Sequence, residues 1–316
     1  MMRFNSACFV TGAHMDIAAR LFAPPVAGSS NPGRLVHQPG GAGLNAASVA
    51  AALGLSSSLA GPVGDDGHGL EIRKAVAVRG IADHLVTIHG KPSGSYTAVM
   101  APDGEMVIGI ADLALYETVD APWFSENCGE ALEAANLWFL SANLAADTVA
   151  DLAEMAVNKG HAVLAAATIS PAKSVRLRPC LSRIDLLFTN LKEARALVDA
   201  PGADAVQLAR TLIDEGTKAG VISQGAGPAI FWENGTLGTV TPPRVGAIVD
   251  VNGAGDALAG ATLAGLARGR TLGEALPSAI MAAQMTLAAP EPFVEGLELA
   301  RLDTLAADMK ASQIEG

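Results

Sequence analysis

Asp250-Val251-Asn252-Gly253-Ala254-Gly255-Asp256 lies between an apolar run, Ala247 to Val249, and a helix-forming stretch, Ala257 to Arg268, with Gly269 just beyond. The order predicts a strand that enters a helix through a glycine-rich turn, the repeating unit of α/β folds. Gly253 and Gly255 leave the backbone bare at the helix start, where unpaired N–H groups and the positive end of the helix dipole form a hole for an anion. Asp256 falls in the first turn, within reach of an alcohol proton if a hydroxyl attacks a phosphate held in that hole. The same residues would also serve as a tight turn and a helix cap. A dinucleotide site fits less well, because the glycines continue at Gly260, off the usual third-glycine spacing, and no acid sits suitably downstream.

A second glycine cluster, Gly40-Gly41-Ala42-Gly43-Leu44-Asn45, opens another helix, rich in alanine and serine. Gly40 and Gly41 permit a ligand to approach the backbone, and Asn45 offers a donor and an acceptor suited to vicinal hydroxyls. A purely structural turn is the other reading of this cluster. Around the two clusters, short apolar runs alternate with alanine-rich stretches of helical length. Strands are expected at Ala7–Gly12, Ala162–Ala167, Asp185–Thr189, Gly220–Ser223 and Gly227–Glu233, and helices at Leu44–Leu53, ending at Gly54, and at Leu191–Leu197 after Asn190. This is an α/β pattern with a mostly parallel central sheet. Two segments break the rhythm, at about 17–38 and 93–112, with turn signals at Asn31-Pro32-Gly33 and Pro102-Asp103-Gly104. They read as strands of a small separate sheet, either a lid or a surface hairpin.

The 316 residues are 50% hydrophobic and read as one domain, 1–316, with the lid segments inserted. A formal charge of −11 and no basic run argue against a nucleic-acid partner and for small molecules. Cys8, Cys128 and Cys180 are odd in number and scattered, with neither a disulfide framework nor zinc spacing, as expected in the cytoplasm. The run Ala7–Val10 is too brief for a signal-peptide core, and no apolar stretch of about 18 residues is present to enter a membrane.

Gly-Gly-x-Gly-x-Asn near residue 40, followed about 200 residues later by Asp-x-x-Gly-Ala-Gly-Asp, resembles the two signatures of the ribokinase-like (PfkB) carbohydrate kinase family. The resemblance extends over essentially the whole chain. It implies a three-layer α/β sandwich with a small β-sheet lid, ATP with Mg2+, and a sugar or nucleoside acceptor. On the matching positions it implies that Asp256 is the catalytic base, that Gly253, Ala254 and Gly255 form the anion hole, and that Asp16, Gly40, Gly41 and Asn45 bind the sugar. Asn190-Leu191-Lys192-Glu193 matches the family's Asn-x-x-Glu motif, which organises Mg2+ through water at the glutamate; the same residues make a good helix start. Ser223, Gly225 and Gly227 match the nucleotide loop. Asn252 stands on the nucleotide side where many relatives have threonine. Asp250 matches a ligand of a monovalent cation, K+, and relatives often form homodimers through lid strands.

Within the family, Phe22-Ala23-Pro24, Ser30-Asn31-Pro32-Gly33-Arg34, Ser95-Tyr96-Thr97-Ala98-Val99, Asp103-Gly104-Glu105 and Ile110-Ala111-Asp112 resemble the branch that phosphorylates pseudouridine. Ser170 and Lys173 match that branch's Ser-x-x-Lys, which adds Lys173 to the substrate residues, and Ser30, Asn31 and Thr97 are expected to read the base. Ala167-Thr168 stands where that branch tends to have Asp-Pro. The expected reaction is therefore ATP-dependent phosphorylation of the 5′-hydroxyl of pseudouridine. The alternatives are a kinase for ribose, adenosine or a ketose, and a non-catalytic sensor of sugars or nucleosides.

Overall fold

Along β1 (Ser6–Val10) side chains alternate faces, and both faces are apolar: Ala7 and Phe9 join one buried cluster, Cys8 and Val10 another. A strand buried on both sides belongs inside a helix-covered sheet. The computed structural model puts it there; the structure describes residues 2–160, 163–244, 246, 248–249, 251–289, 294 and 296–314. In chain order β1 is followed by β2 (His14–Leu21), β3 (Gly33–Gly40), helix α1 (Ala42–Ala52), β4 (Ser56–Gly64), α2 (Gly67–Val78) and β5 (Ala82–Ile88). Next come β6 (Ser95–Met100), β7 (Met106–Asp112), α3 (Ala121–Ala134), β8 (Leu137–Ser141), α4 (Ala146–Lys159) and β9 (Val163–Ala167). After these run α5 (Pro171–Ser174), β10 (Leu186–Asn190), α6 (Leu191–Leu197), α7 (Ala205–Asp214), β11 (Ala219–Gln224), β12 (Gly227–Glu233) and β13 (Thr236–Val240). The last elements are α8 (Ala254–Ala267), α9 (Leu272–Leu287), α10 (Leu299–Leu305) and β14 (Ser312–Gln313).

The main sheet has the order β14-β13-β12-β11-β10-β9-β8-β1-β4-β5, parallel from β11 to β5 and antiparallel at the β12–β14 edge. Helices α1, α8 and α9 bury Leu44, Val49, Leu263 and Leu276 against one face; α3, α4 and α7 bury Phe124, Leu152 and Leu208 against the other. The architecture is the expected three-layer sandwich. Helices α1 and α8 pack closely at Gly260, where a Cβ would run into the Ala46 carbonyl and stand 3.0 Å from Val49 Cβ. Among the described residues no helix is long and apolar enough to cross a membrane.

A second sheet, β3-β2-β6-β7, stands apart, with β2 and β6 parallel and the outer pairs antiparallel. Its strands fall in the two segments that broke the sequence rhythm. Gly12 makes the exit from β1 at φ +82, with the Tyr116 ring 2.8 Å from where a Cβ would be. The chain therefore changes sheets two residues before His14, and Asp16 sits within β2. Gly33, read as a turn residue, is the first residue of β3.

The strand expected at Ala247–Val249 is not seen at its described residues: Ile248 and Val249 are outside any strand, and Ala247 is not among the described residues. Ile248 is 58% exposed, so its apolar character finds no sheet to join, and the Val249 N–H donates to the Leu287 carbonyl at the end of α9 instead. Ala162, expected to open a strand, also lies outside the described residues, and β9 is described from Val163.

Candidate active site

Helix α8 starts at Ala254, three residues earlier than its sequence suggested, because Gly253 adopts φ +77 as its N-cap. No side chain caps this end, and a Cβ added at Gly255 would meet nothing within 4 Å. First-turn N–H groups thus face open space at the positive end of a 14-residue helix. Asp256 sits in that first turn. Burial, the largest influence, pushes its carboxyl up to about 6; Asn45 and His14 work against the rise, and Asp16 and Glu193 add to it.

Asn45, in the first turn of α1, donates from Nδ2 to Asp256 Oδ2 at 3.0 Å. Its Oδ1 is buried without a hydrogen-bond partner. An orphan buried acceptor beside a carboxylate is costly unless a ligand supplies a donor. From β2, Asp16 faces the same space, and His14 holds it: His14 Nε2 is 3.2 Å from Asp16 Oδ1, and Nδ1 is 3.2 Å from the buried Tyr116 Oη. Gly40 and Gly41 were expected to admit a ligand, but the structure gives them another reason to be bare. A Cβ at Gly40 would run into Asp16 Oδ2, and one at Gly41 would stand 2.8 Å from the His14 ring. These glycines seat the side chains that face the cavity, and Gly41 alone of the two reaches its lining.

On the other side, Asn190 caps α6 and forms a reciprocal capping box with Glu193. The buried Glu193 carboxylate also accepts from the Thr168 hydroxyl, which is 3.0 Å from Thr189 Oγ1. Thr168, at the departure from the Asp-Pro pattern, thus has a definite partner. Lys173 donates to Asn143 Oδ1 at 2.7 Å, and burial lowers its pKa.

These groups line one cavity of about 460 Å³, a size that fits a small ligand. Asp16, Gly41, Asn45, Lys173, Asn190, Glu193, Ser223, Asn252, Gly253, Gly255 and Asp256 border it. Ala254 does not, although its N–H belongs to the same helix end. Gly225, in the β11–β12 turn, and Gly227, the first residue of β12, lie outside the lining, and a Cβ at Gly225 would meet nothing within 4 Å. Asp250, the expected cation ligand, is outside the described residues.

The expected base-reading residues lie away from this lining. Ser30 and Asn31 sit in the exposed connection between β2 and β3, and the Asn31 amide is engaged locally by Val26 and the Ser29 carbonyl. Thr97 misses the lining because strand side chains alternate, and its neighbours Tyr96 and Ala98 take the cavity side. Sequence reasoning missed Gln38, Tyr96, His14 and Asn143. The period-2 pattern of β6 held a signal for Tyr96, but its phase could not be set without knowing which face is covered.

Residues 9–292 match the model of the pfkB family carbohydrate kinases. The chain is 27% identical over 264 residues to the pseudouridine kinase of Escherichia coli (strain K12), an alignment that covers 82% of this chain and 81% of that protein. The solved carbohydrate kinase from Agrobacterium tumefaciens superposes with a TM-score of 0.86 at 31% identity, over 98% of this chain and 100% of that one. Ribokinase from Arabidopsis thaliana, solved with ribose and ATP, superposes with a TM-score of 0.80 at 20% identity, over 96% and 98% of the two chains.

Proposed function

The chain belongs to the pfkB family of carbohydrate kinases, ATP-dependent phosphotransferases acting on alcohol groups, and within that activity we propose that its acceptor is the 5′-hydroxyl of a ribonucleoside, pseudouridine foremost. The observation that carries the reading is the pair Asn45–Asp256. An orphan acceptor and a carboxylate of raised pKa lie together at an uncapped helix start, across from Asp16.

In this reading Asp16 and Asn45 Oδ1 take the ribose hydroxyls and hold the 5′-oxygen near Asp256. As that oxygen bonds to the γ-phosphorus, its proton passes to the Asp256 carboxylate, and the bond from the γ-phosphorus to the β–γ bridging oxygen breaks to release ADP. Charge on the transferring group is met by the N–H groups of the Gly253–Gly255 turn. Glu193, seated by Thr168 and Asn190, is the carboxylate suited to hold Mg2+ through water. An ion held this way would keep most of its waters. Such an ion supplies neutralisation of phosphate charge. Lys173, Asn190, Ser223 and Asn252 border the same space as further polar contacts.

The outward face of the small sheet supports a homodimer. Leu35, Ile108 and Ile110 there are 61%, 53% and 56% exposed, an apolar surface suited to a second copy of the sheet. The composition and scattered cysteines support a cytoplasmic location.

The test of the acceptor is ADP release with pseudouridine, uridine, adenosine, ribose and fructose. Pseudouridine is expected to show the highest kcat/KM, and a ribose or fructose value above it would refute the nucleoside reading.

A further inference from the structure

The cavity-facing side of the small sheet is set by its register. Asp16 on β2 pairs with Gln38 on β3 and with Tyr96 on β6, and Tyr96 pairs with Ala111 on β7. All four border the cavity, as do Ala18 and Ala98 one step further along the strands. Gln38 and Tyr96 therefore stand on either side of Asp16, about 10 Å apart at the usual strand spacing. The floor between them is β2, where Ile17 and Ala18 border the cavity beside the aspartate.

Two details make this slot more than a lining. The Tyr96 ring is laid down on β7: a Cβ at Gly109 would stand 2.8 Å from Tyr96 Oη, and that hydroxyl contacts Met106 Sδ at 3.5 Å. The absent side chain at 109 leaves room for the phenol, so the Tyr96 ring borders the slot. Across from it the partly buried Gln38 borders the same cavity. A primary amide offers one acceptor and two donors side by side, the complement of an adjacent N–H and C=O on a heterocycle.

We infer that Gln38 and Tyr96 are the base-recognising pair of this enzyme: Tyr96 packs against the face of a planar, uracil-type ring whose ribose is held at Asp16, and the Gln38 amide bonds its N–H/C=O edge. The inference rests on the nucleoside reading above and moves base recognition from Ser30, Asn31 and Thr97 to the other side of the sheet. It predicts a discrimination that sugar-binding residues cannot give. Loss of either side chain weakens nucleosides and spares free ribose, which has no ring to lose.

The test compares wild type, Gln38→Leu and Tyr96→Ala for phosphorylation of pseudouridine and ribose, with calorimetric binding of pseudouridine and of ADP. The expected result is a loss of about tenfold to a hundredfold in kcat/KM and in affinity for pseudouridine, on the order of one or two lost contacts. Ribose turnover and ADP binding should stay within about threefold, which also shows that the variants are folded. Wild-type activity on pseudouridine that both variants retain would overturn the inference and leave the nucleoside reading standing. Equal losses on pseudouridine and ribose with ADP binding intact would overturn it too, since the pair would then be holding the sugar. A wild-type enzyme that phosphorylates ribose and neither binds nor phosphorylates pseudouridine would remove the nucleoside reading, and this inference with it.

Discussion

Asp256 must be ionised to accept a proton, and burial raises its pKa to about 6. For such a base the active form is lost on acidification, so kcat/KM for the acceptor should be flat above about pH 7 and fall through pH 6 with a one-proton slope. A pH series at saturating ATP checks this; an inflection near the ordinary carboxylate value would contradict it. In the proposed mechanism Thr168 acts through Glu193, whose carboxylate accepts from its hydroxyl. Replacing it with valine removes a hydrogen bond to a buried charge, about 1.5–3 kcal/mol, and should cost roughly tenfold or more in kcat/KM, with serine at 168 restoring most of it. Asp256, Asn45 and Glu193 were legible in the sequence because each is fixed by a helix start that announces itself locally. Gln38, Tyr96, His14 and Asn143 were not, since each enters the site through strand pairing or packing between segments far apart in the chain.

Helices α1 and α8 must meet closely for Asn45 to reach Asp256, and Gly260 is where they meet. A valine at 260 would collide with the α1 backbone, with an expected loss of about 1–3 kcal/mol in stability and a drop in activity as the two helix starts move apart. Chemical denaturation beside a kcat measurement reads both effects; an unchanged midpoint would mean that the helices can separate freely. Among the elements, β10, β11 and β12 stood out in the sequence as glycine- or turn-bounded apolar runs. The run Ala247–Val249 had the same look and formed no strand at its described residues, because apolar character sets burial only where a neighbouring strand is available. The switch of sheets at Gly12 was equally hidden: a left-handed glycine permits a turn but does not say which sheet receives the next strand.

The whole molecule divides into a helix-covered sheet that carries the uncapped start of α8 and a small sheet whose inner face borders the cavity while its outer face stays apolar. If that outer face pairs with a second copy, light scattering should report twice the 32.0 kDa chain mass, and Ile108→Asp with Ile110→Asp should yield a monomer. A wild-type monomer at micromolar concentration would refute the dimer. The two-sheet arrangement could be read in the sequence from where the rhythm broke. The identity of the cavity side could not, because a one-residue shift in phase exchanges Thr97 for Tyr96.

The most direct test of Asp256 as the proton acceptor is phosphorylation of pseudouridine by Asp256→Asn beside wild type, with nucleoside binding measured on the same samples. The expected outcome is pseudouridine 5′-phosphate from wild type and a rate lower by about 10³-fold from the variant, with affinity changed only a few-fold. A variant that forms the phosphate within tenfold of the wild-type rate would contradict the account.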